Sequence, residues 1–163
     1  MAATGIGFDC HRFAEGRRLV LGGVDIPHER GLAGHSDADA LTHAIIDALL
    51  GAAGMGDIGE LYPDTDERFR DADSMGLLAD TVRRLAAASM TIRNVDATVM
   101  LERPKLRDHK AAIRARLAEV LGVELDRVNV KATTAEGMGA LGREEGVAAL
   151  AVAVVEDHSG EIA

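Results

Sequence analysis

The order of apolar and polar positions predicts a chain that opens with a strand and then alternates helices with strands. Residues 4–13, TGIGFDCHRF, alternate with a period of two. Ile6, Phe8, Cys10 and Arg12 fall on one face, and Gly7, Asp9, His11 and Phe13 on the other. EGRR then turns the chain, and LVLGGVDIP reads as a hairpin partner. In residues 35–54, HSDADALTHAIIDALLGAAG, apolar positions Leu41, Ile45, Ala48 and Leu49 recur at helical spacing. Ser36 is the expected N-cap of that helix, with Asp39 in the capping-box position.

Residues 55–73 are polar and Gly-rich and predict a long loop, which in a compact domain is often functional. Its stretch DERFRDAD reads as a solvated face. SMGLLADTVRRLAAAS follows as a helix, and TIRNVDATVMLE as a strand ended by Pro104. LRDHKAAIRARLAEVLG is a helix with Gly122 at its C-terminal end. DRVNVKATTAE is a strand running into the Gly-rich loop GMGALGREEG, and GVAALAVAVVE is the last strand. The polar tail, residues 157–163, is expected to fray.

The last strand constrains the architecture. Val147, Ala149, Ala151, Ala153 and Val155 form one face; Ala148, Leu150, Val152 and Val154 form the other. Both are apolar, so both require cover. The elements predict one α+β domain over residues 1–163, a two-layer fold with a mixed β-sheet and helices on one face. The second face then calls for a neighbouring subunit, hence a homo-oligomer. The alternative is a sheet covered by helices on both sides within one chain.

Composition narrows the function. The chain has 163 residues, which suits a single domain. Lys and Arg number 18 against 27 Asp and Glu, a net charge of −9, which argues against nucleic acid or an anionic membrane as partner. No apolar run approaches the ~18 residues of a membrane span. MAATGIGFD lacks the basic-then-apolar pattern of a secretory signal. A single cysteine, Cys10, rules out an internal disulfide and points to a reducing cytoplasm. Its expected fate is that of a small buried apolar residue.

One cluster carries chemistry. Asp9 and His11 sit at i and i+2 of a strand and point the same way. The next helix offers Asp39, His43 and Asp47 at spacings of four, on one side. His43 lies in the apolar half of that helix. Asp9, His11 and His43 together make a carboxylate and two imidazoles, a set that suits zinc with one open position. Asp39 and Asp47 could orient an imidazole from outside the ligand set. The same donors also describe non-haem iron sites, and Asp9 and His11 could form a plain ion pair.

GFDCHRF, LGGVDIPHERGLAGHSDADALTHAIIDALLGAAGMGDIG, YPDTD, RPKL and VNVKATTAE, in this order from about Gly5 to Val155, resemble the 2-C-methyl-D-erythritol 2,4-cyclodiphosphate synthases of the non-mevalonate isoprenoid pathway. The resemblance implies a homotrimer, the open sheet face turned to its centre and the active sites lying between subunits. It implies cyclisation of 4-diphosphocytidyl-2-C-methyl-D-erythritol 2-phosphate with release of CMP. It assigns zinc to Asp9, His11 and His43, and a second divalent ion, magnesium or manganese, to Glu136. His35 and Ser36 match phosphate contacts. Asp57, Ile58 and Gly59, with Tyr62, Pro63, Asp64, Thr65 and Asp66, match the methylerythritol side. Leu101 to Arg107, including Pro104, Lys105 and Leu106, match the cytidine segment. Thr133, Thr134 and the adjoining Ala135 match the diphosphate side, and His35 and Thr134 are the expected catalytic donors. Ala140 stands where the family often has phenylalanine. With Arg143 it borders an apolar cavity on the trimer axis that can hold isoprenoid diphosphates.

The implied chemistry is consistent with these residues. A phosphate monoester has its second pKa near ~6, so the 2-phosphate is already an ionised nucleophile and needs no general base. Catalysis of such a transfer is positioning and charge stabilisation. An acidic protein needs local cations to accept so anionic a substrate. Ser36 could also merely cap a helix, Thr133 and Thr134 could be ordinary strand residues, and Glu136 a solvated turn carboxylate. Lys105 and Lys131 could serve the nucleotide phosphate or only the surface.

Overall fold

A computed structural model describes residues 1–69 and 72–160. Strands β1 (Ala2–Ala14), β4 (Gly31–Leu32), β5 (Met90–Met100), β6 (Val128–Thr133) and β7 (Gly146–Asp157) form one sheet, in the order β4-β1-β7-β5-β6. Only β5 and β6 run parallel. Their connection passes through helix α4 (Lys110–Leu121), the crossover a parallel pair requires. The α+β class and the mixed sheet are as the pattern predicts.

LVLGGVDIP departs from expectation. It folds on itself as a hairpin, β2 (Leu19–Leu21) with β3 (Val24–Ile26), and leaves β1 to pair with β4 and β7. The polar loop also carries structure: a short helix α2 (Ile58–Leu61) and a 3-10 turn at Glu67–Phe69. Phe69 packs edge-on to Tyr62, so DERFRDAD is not wholly a solvated face; its Arg70 and Asp71 lie outside the described residues.

Helices α1 (Ala40–Ala53), α3 (Ser74–Ala87) and α4 lie on one face of the sheet. α1 rests directly on β1 and β7. Gly5 and Gly7 permit this, because a Cβ at either would fall on the carbonyl oxygens of Ala48 and Ala44. With α3 against its other side, α1 is buried nearly all round. Of the two faces of β7, Val147, Ala149, Ala151, Ala153 and Val155 enter this core. The opposite sheet face stays open in the single chain, with Ile6 66%, Phe8 55% and Leu150 37% exposed. Cys10 shares that face and is exposed as well, contrary to the expectation of burial, because none of the described residues covers it.

The N-cap of α1 is Asp39, not Ser36. Ala38 takes a left-handed backbone (φ 57), which stops the helix from starting earlier. The fully buried Asp39 carboxylate accepts from Thr42 N and Oγ1 and from the N–H groups of Gly22 and Gly23. It thus ties the β2–β3 turn to α1. Burial pushes this carboxyl up, and the four donors pull the other way.

The start of the tail makes backbone contacts. The N-terminal amine of Met1 donates to the Asp157 carbonyl at 2.9 Å, and His158 N donates to Ser89 O at 3.0 Å. Residues 161–163 of the predicted tail lie outside the described residues. Among the described residues no helix is long and apolar enough to cross a membrane.

Candidate metal centre

β1 delivers Asp9 and His11 from the face that packs on α1, and α1 returns His43 to meet them. One carboxylate oxygen, Asp9 Oδ2, lies 2.9 Å from His11 Nε2 and 3.0 Å from His43 Nδ1. The two ring nitrogens are 3.4 Å apart. Among the described residues this is the one group of three such donors that could hold a metal ion, with ligand atoms within 4.8 Å of one another.

The partners of the remaining ring atoms bear on where the ring protons sit. His11 Nδ1 is 2.8 Å from the Ala33 carbonyl, which can only accept, so Nδ1 donates there, and in the neutral ring Nε2 offers its lone pair to the cluster. His43 Nε2 faces the hydroxyls of Ser74 at 2.8 Å and Ser36 at 3.3 Å, leaving Nδ1 toward Asp9. A carboxylate and two imidazole lone pairs turned on one point suit a divalent cation. Burial opposes the charge on Asp9, but the two imidazoles outweigh it and hold its carboxyl down at about 2. Burial likewise opposes protonation of His11, and the Asp9 carboxylate outweighs that, raising its pKa.

Asp39 and Asp47 do not orient the imidazoles. Asp39 caps α1, and Asp47 accepts from Ile58 N at 2.8 Å, fixing the start of α2. The spacing placed both carboxylates on one helix side, but each finds nearer backbone donors. The partners of the imidazoles are instead a backbone carbonyl and Ser74, at the first position of α3, neither of which strand or helix periodicity marks. Arg17 is a further residue that pattern reading missed. It donates to the carbonyls of Leu32 (3.1 Å), Gly34 (3.3 Å) and Ser36 (2.6 Å), and so holds the loop that presents Ala33, His35 and Ser36.

A cavity of about 410 Å³ opens beside the cluster, lined by His11, His35, Ser36, His43, Ile58, Gly59, Tyr62 and Asp64 among others. Tyr62 is nearly buried and donates its hydroxyl to Asp80 Oδ2 at 2.8 Å. Asp57 caps α2, and Asp66 is gripped by Arg68; neither these two nor Pro63 and Thr65 line the cavity. A second cleft, of about 320 Å³, is lined by Leu101, Pro104, Lys105, Leu106, Ala132, Thr133, Thr134 and Glu136. Thr134 Oγ1 donates to Glu136 Oε1 at 2.9 Å. Glu102, also missed, accepts from Ala135 N at 2.8 Å and Gly137 N at 3.3 Å and shapes that turn. Lys131 is engaged by Asp96 at 2.6 Å. Arg143 pairs with Glu145 at 2.7 Å beside a third cavity that includes Ala140 and Cys10. The single chain therefore brings the Asp9, His11 and His43 group together with His35, Ser36, Ile58, Gly59, Tyr62 and Asp64, and leaves the threonine–Glu136 cleft lined by other residues.

Comparison with known proteins agrees with the resemblance seen in the sequence. The YgbB family model matches residues 2–156. The 2-C-methyl-D-erythritol 2,4-cyclodiphosphate synthase of Salinibacter ruber is 57% identical over 152 residues, 93% of this chain and 97% of that protein. The synthase of the same name from Rubrobacter xylanophilus is 58% identical over 160 residues, 96% of each. A solved synthase in a CDP-bound form superposes with a TM-score of 0.87 at 39% identity, over 94% of this chain and 99% of that one. The bifunctional IspDF of Campylobacter jejuni superposes with a TM-score of 0.92 at 47% identity; the match covers 95% of this chain and only 42% of that longer one. The chain belongs to the YgbB family, whose curated relatives are 2-C-methyl-D-erythritol 2,4-cyclodiphosphate synthases.

Proposed function

We propose that the chain cyclises 4-diphosphocytidyl-2-C-methyl-D-erythritol 2-phosphate to 2-C-methyl-D-erythritol 2,4-cyclodiphosphate and releases CMP, by attack of the 2-phosphate on the β-phosphorus. The observation that carries this reading is the convergence of Asp9, His11 and His43 beside the His35–Ser36 cavity, in a chain 57% identical to a curated synthase. Asp9, His11 and His43 would hold zinc, and Glu136 a second divalent ion, magnesium or manganese. When bound, these ions supply positive charge to phosphate oxygens.

The protein's own groups do the positioning. His35 and Ser36 donate to phosphate oxygens on the metal side of the cavity, while Thr133 and Thr134 donate on the other. Ile58, Gly59, Tyr62 and Asp64 line the pocket for the methylerythritol, and Asp57, Pro63, Thr65 and Asp66 shape the segment that presents them. The backbone of Leu101 to Arg107 reads the edge of cytosine, and Lys105 and Ala135 flank the diphosphate. No residue need act as a general base, since the nucleophile ionises near ~6 unaided. His35 and Thr134 are the direct donors to the reacting groups.

The two clefts of the single chain would be joined in a homotrimer, the second cleft of one subunit facing the metal cluster of the next. The open sheet face of Ile6, Phe8 and Leu150 would meet its copies at the centre. Ala140 and Arg143 would border an axial cavity able to take an isoprenoid diphosphate. The net charge of −9 disfavours nucleic acid and membrane partners, and the single free thiol suits a reducing cytoplasm.

Phosphorus NMR of the protein with substrate, zinc and magnesium tests the reaction. The expected result is a cyclic diphosphate and CMP, lost together with zinc binding in His43→Ala. Inorganic phosphate in place of the cyclic product would assign a phosphohydrolase instead, and full activity in His43→Ala would remove the metal cluster from the reaction.

A further inference from the structure

His43 and His11 meet the same point but are held by different means. His11 is fixed by a backbone carbonyl, as described above. His43 is fixed by a side chain on a distant helix. Ser74, completely buried at the first position of α3, places Oγ 2.8 Å from His43 Nε2. The same hydroxyl hydrogen-bonds Asp37 Oδ1, while Ser74 N donates to Asp37 Oδ2 at 3.0 Å and Asp39 N donates to Oδ1 at 3.2 Å.

The acceptors along this chain favour one arrangement of its protons. A carboxylate can only accept, and both oxygens of Asp37 already face donors. The single hydroxyl proton of Ser74 therefore goes to Asp37, and Ser74 offers His43 only lone pairs. His43 Nε2 is then the nitrogen that donates to Ser74 Oγ. The Asp9 carboxylate, 3.0 Å from Nδ1, and the Ser36 hydroxyl, 3.3 Å from Nε2, favour the opposite tautomer, and the Ser74 chain biases the ring toward the one that leaves Nδ1 bare for a cation. Reversing the hydroxyl would put a proton on Nδ1, where it would block a cation.

We infer that Asp37 and Ser74 are positioning residues that select the metal-binding tautomer of His43 through the chain Asp37–Ser74–His43. This rests on the reading of Asp9, His11 and His43 as a metal site. The chain also spans three separate segments. Asp37 belongs to the loop before α1, His43 to α1 and Ser74 to α3, so the ligand orientation depends on the seating of α3. Asp37 N donates to Ala72 O at 3.2 Å and reinforces that seam.

Asp37→Asn separates this role from packing. The amide has the same shape but one acceptor oxygen, so one of the donors must face its NH₂ group, or the group must turn and donate to Ser74 Oγ. With NH₂ at the Oδ2 position it opposes the Ser74 N–H, donor against donor, so the amide is driven to the turned orientation, which reverses the Ser74 hydroxyl. A space-filling role would leave the isosteric variant unchanged. A carboxylate-to-amide exchange behind a catalytic imidazole is known to act through the wrong tautomer in serine proteases. Loss of an outer partner of a metal-bound histidine weakens binding about 10–100-fold.

The experiment is a zinc titration of chelator-stripped protein against a chromogenic competitor, paired with ¹⁵N spectra of the histidine rings in the stripped protein at a pH where the imidazoles are neutral. Asp37→Asn and Ser74→Ala should each bind zinc about 10–100-fold more weakly than the parent, and His43 should lose its Nε2–H signature in both. If Ser74→Ala does not fold, Asp37→Asn gives the same readings. Zinc affinity and His43 tautomer equal to the parent's in Asp37→Asn would overturn the inference. A parent protein that binds no zinc would overturn the metal reading, and the ring spectra would still decide the tautomer.

Discussion

The oxygen of Asp9 that both imidazoles share sets a pH signature for the cluster. Its carboxyl is held at about 2 against an ordinary 3.8, so in the metal-free protein its contribution to stability is present above 3.8 and fades as pH falls toward 2. His11 is raised from 6.5, so its contribution is full below 6.5 and is lost as pH rises past its folded value. A bound cation reverses the second trend, because it needs both imidazoles deprotonated. The Tm gap between zinc-loaded and chelator-stripped protein should therefore widen between about pH 6 and about pH 8. Thermal melts across that interval check this, and a constant gap would mean that His11 does not change its partner. Asp9, His11 and His43 were legible as candidates from spacing and residue type. Ser74, Arg17 and Glu102 were not, because each acts across more than 10 positions on a backbone or ring that no local pattern names.

Among the elements, the contact of α1 with β1 controls the site. The strand supplies two ligands and the helix one, and their separation is set by the absence of side chains at Gly5 and Gly7. Gly7→Ala would press a methyl group onto the Ala44 carbonyl, one residue after His43. Overpacking of this kind costs about 1–3 kcal/mol, and displacement of α1 should carry Nδ1 away from Asp9. Urea unfolding should show a loss near the top of that range, about 3 kcal/mol, with weaker zinc binding. A variant with parental stability and parental zinc affinity would show that the helix–strand spacing is not what holds the ligands. The strand and helix types here were readable from periods of two and of 3.6. Their limits were not: the cap of α1 moved from Ser36 to Asp39 because of the left-handed Ala38 and the two glycine N–H groups of a hairpin elsewhere in the fold.

At the scale of the whole molecule, one face of the sheet is closed by helices and the other exposes Ile6 and Phe8 beside Leu150. Aligned on neighbouring strands, with Phe8 opposite Leu150 and Ile6 opposite Val152, they form a continuous apolar strip. Contiguous apolar surface on a sheet marks an interface. Leu150→Glu puts charge on this strip while leaving the helix-covered core untouched. Light scattering should show the parent as a trimer and the variant as a smaller species, with cyclisation lost because the two clefts no longer meet. A trimeric Leu150→Glu protein, or a monomeric and active parent, would contradict the assembly.

Residue order alone determined the succession of strands and helices, the apolar character of both faces of β7 and the donor types of the metal cluster. These depend on local periodicity and on side-chain chemistry, which a linear chain displays openly. Tertiary structure decided which hydroxyl and which carbonyl hold each imidazole, where α1 begins and which sheet face stays bare. Those outcomes depend on which segments come together in space, and hydrogen-bond competition among distant groups is written in no single stretch of the chain.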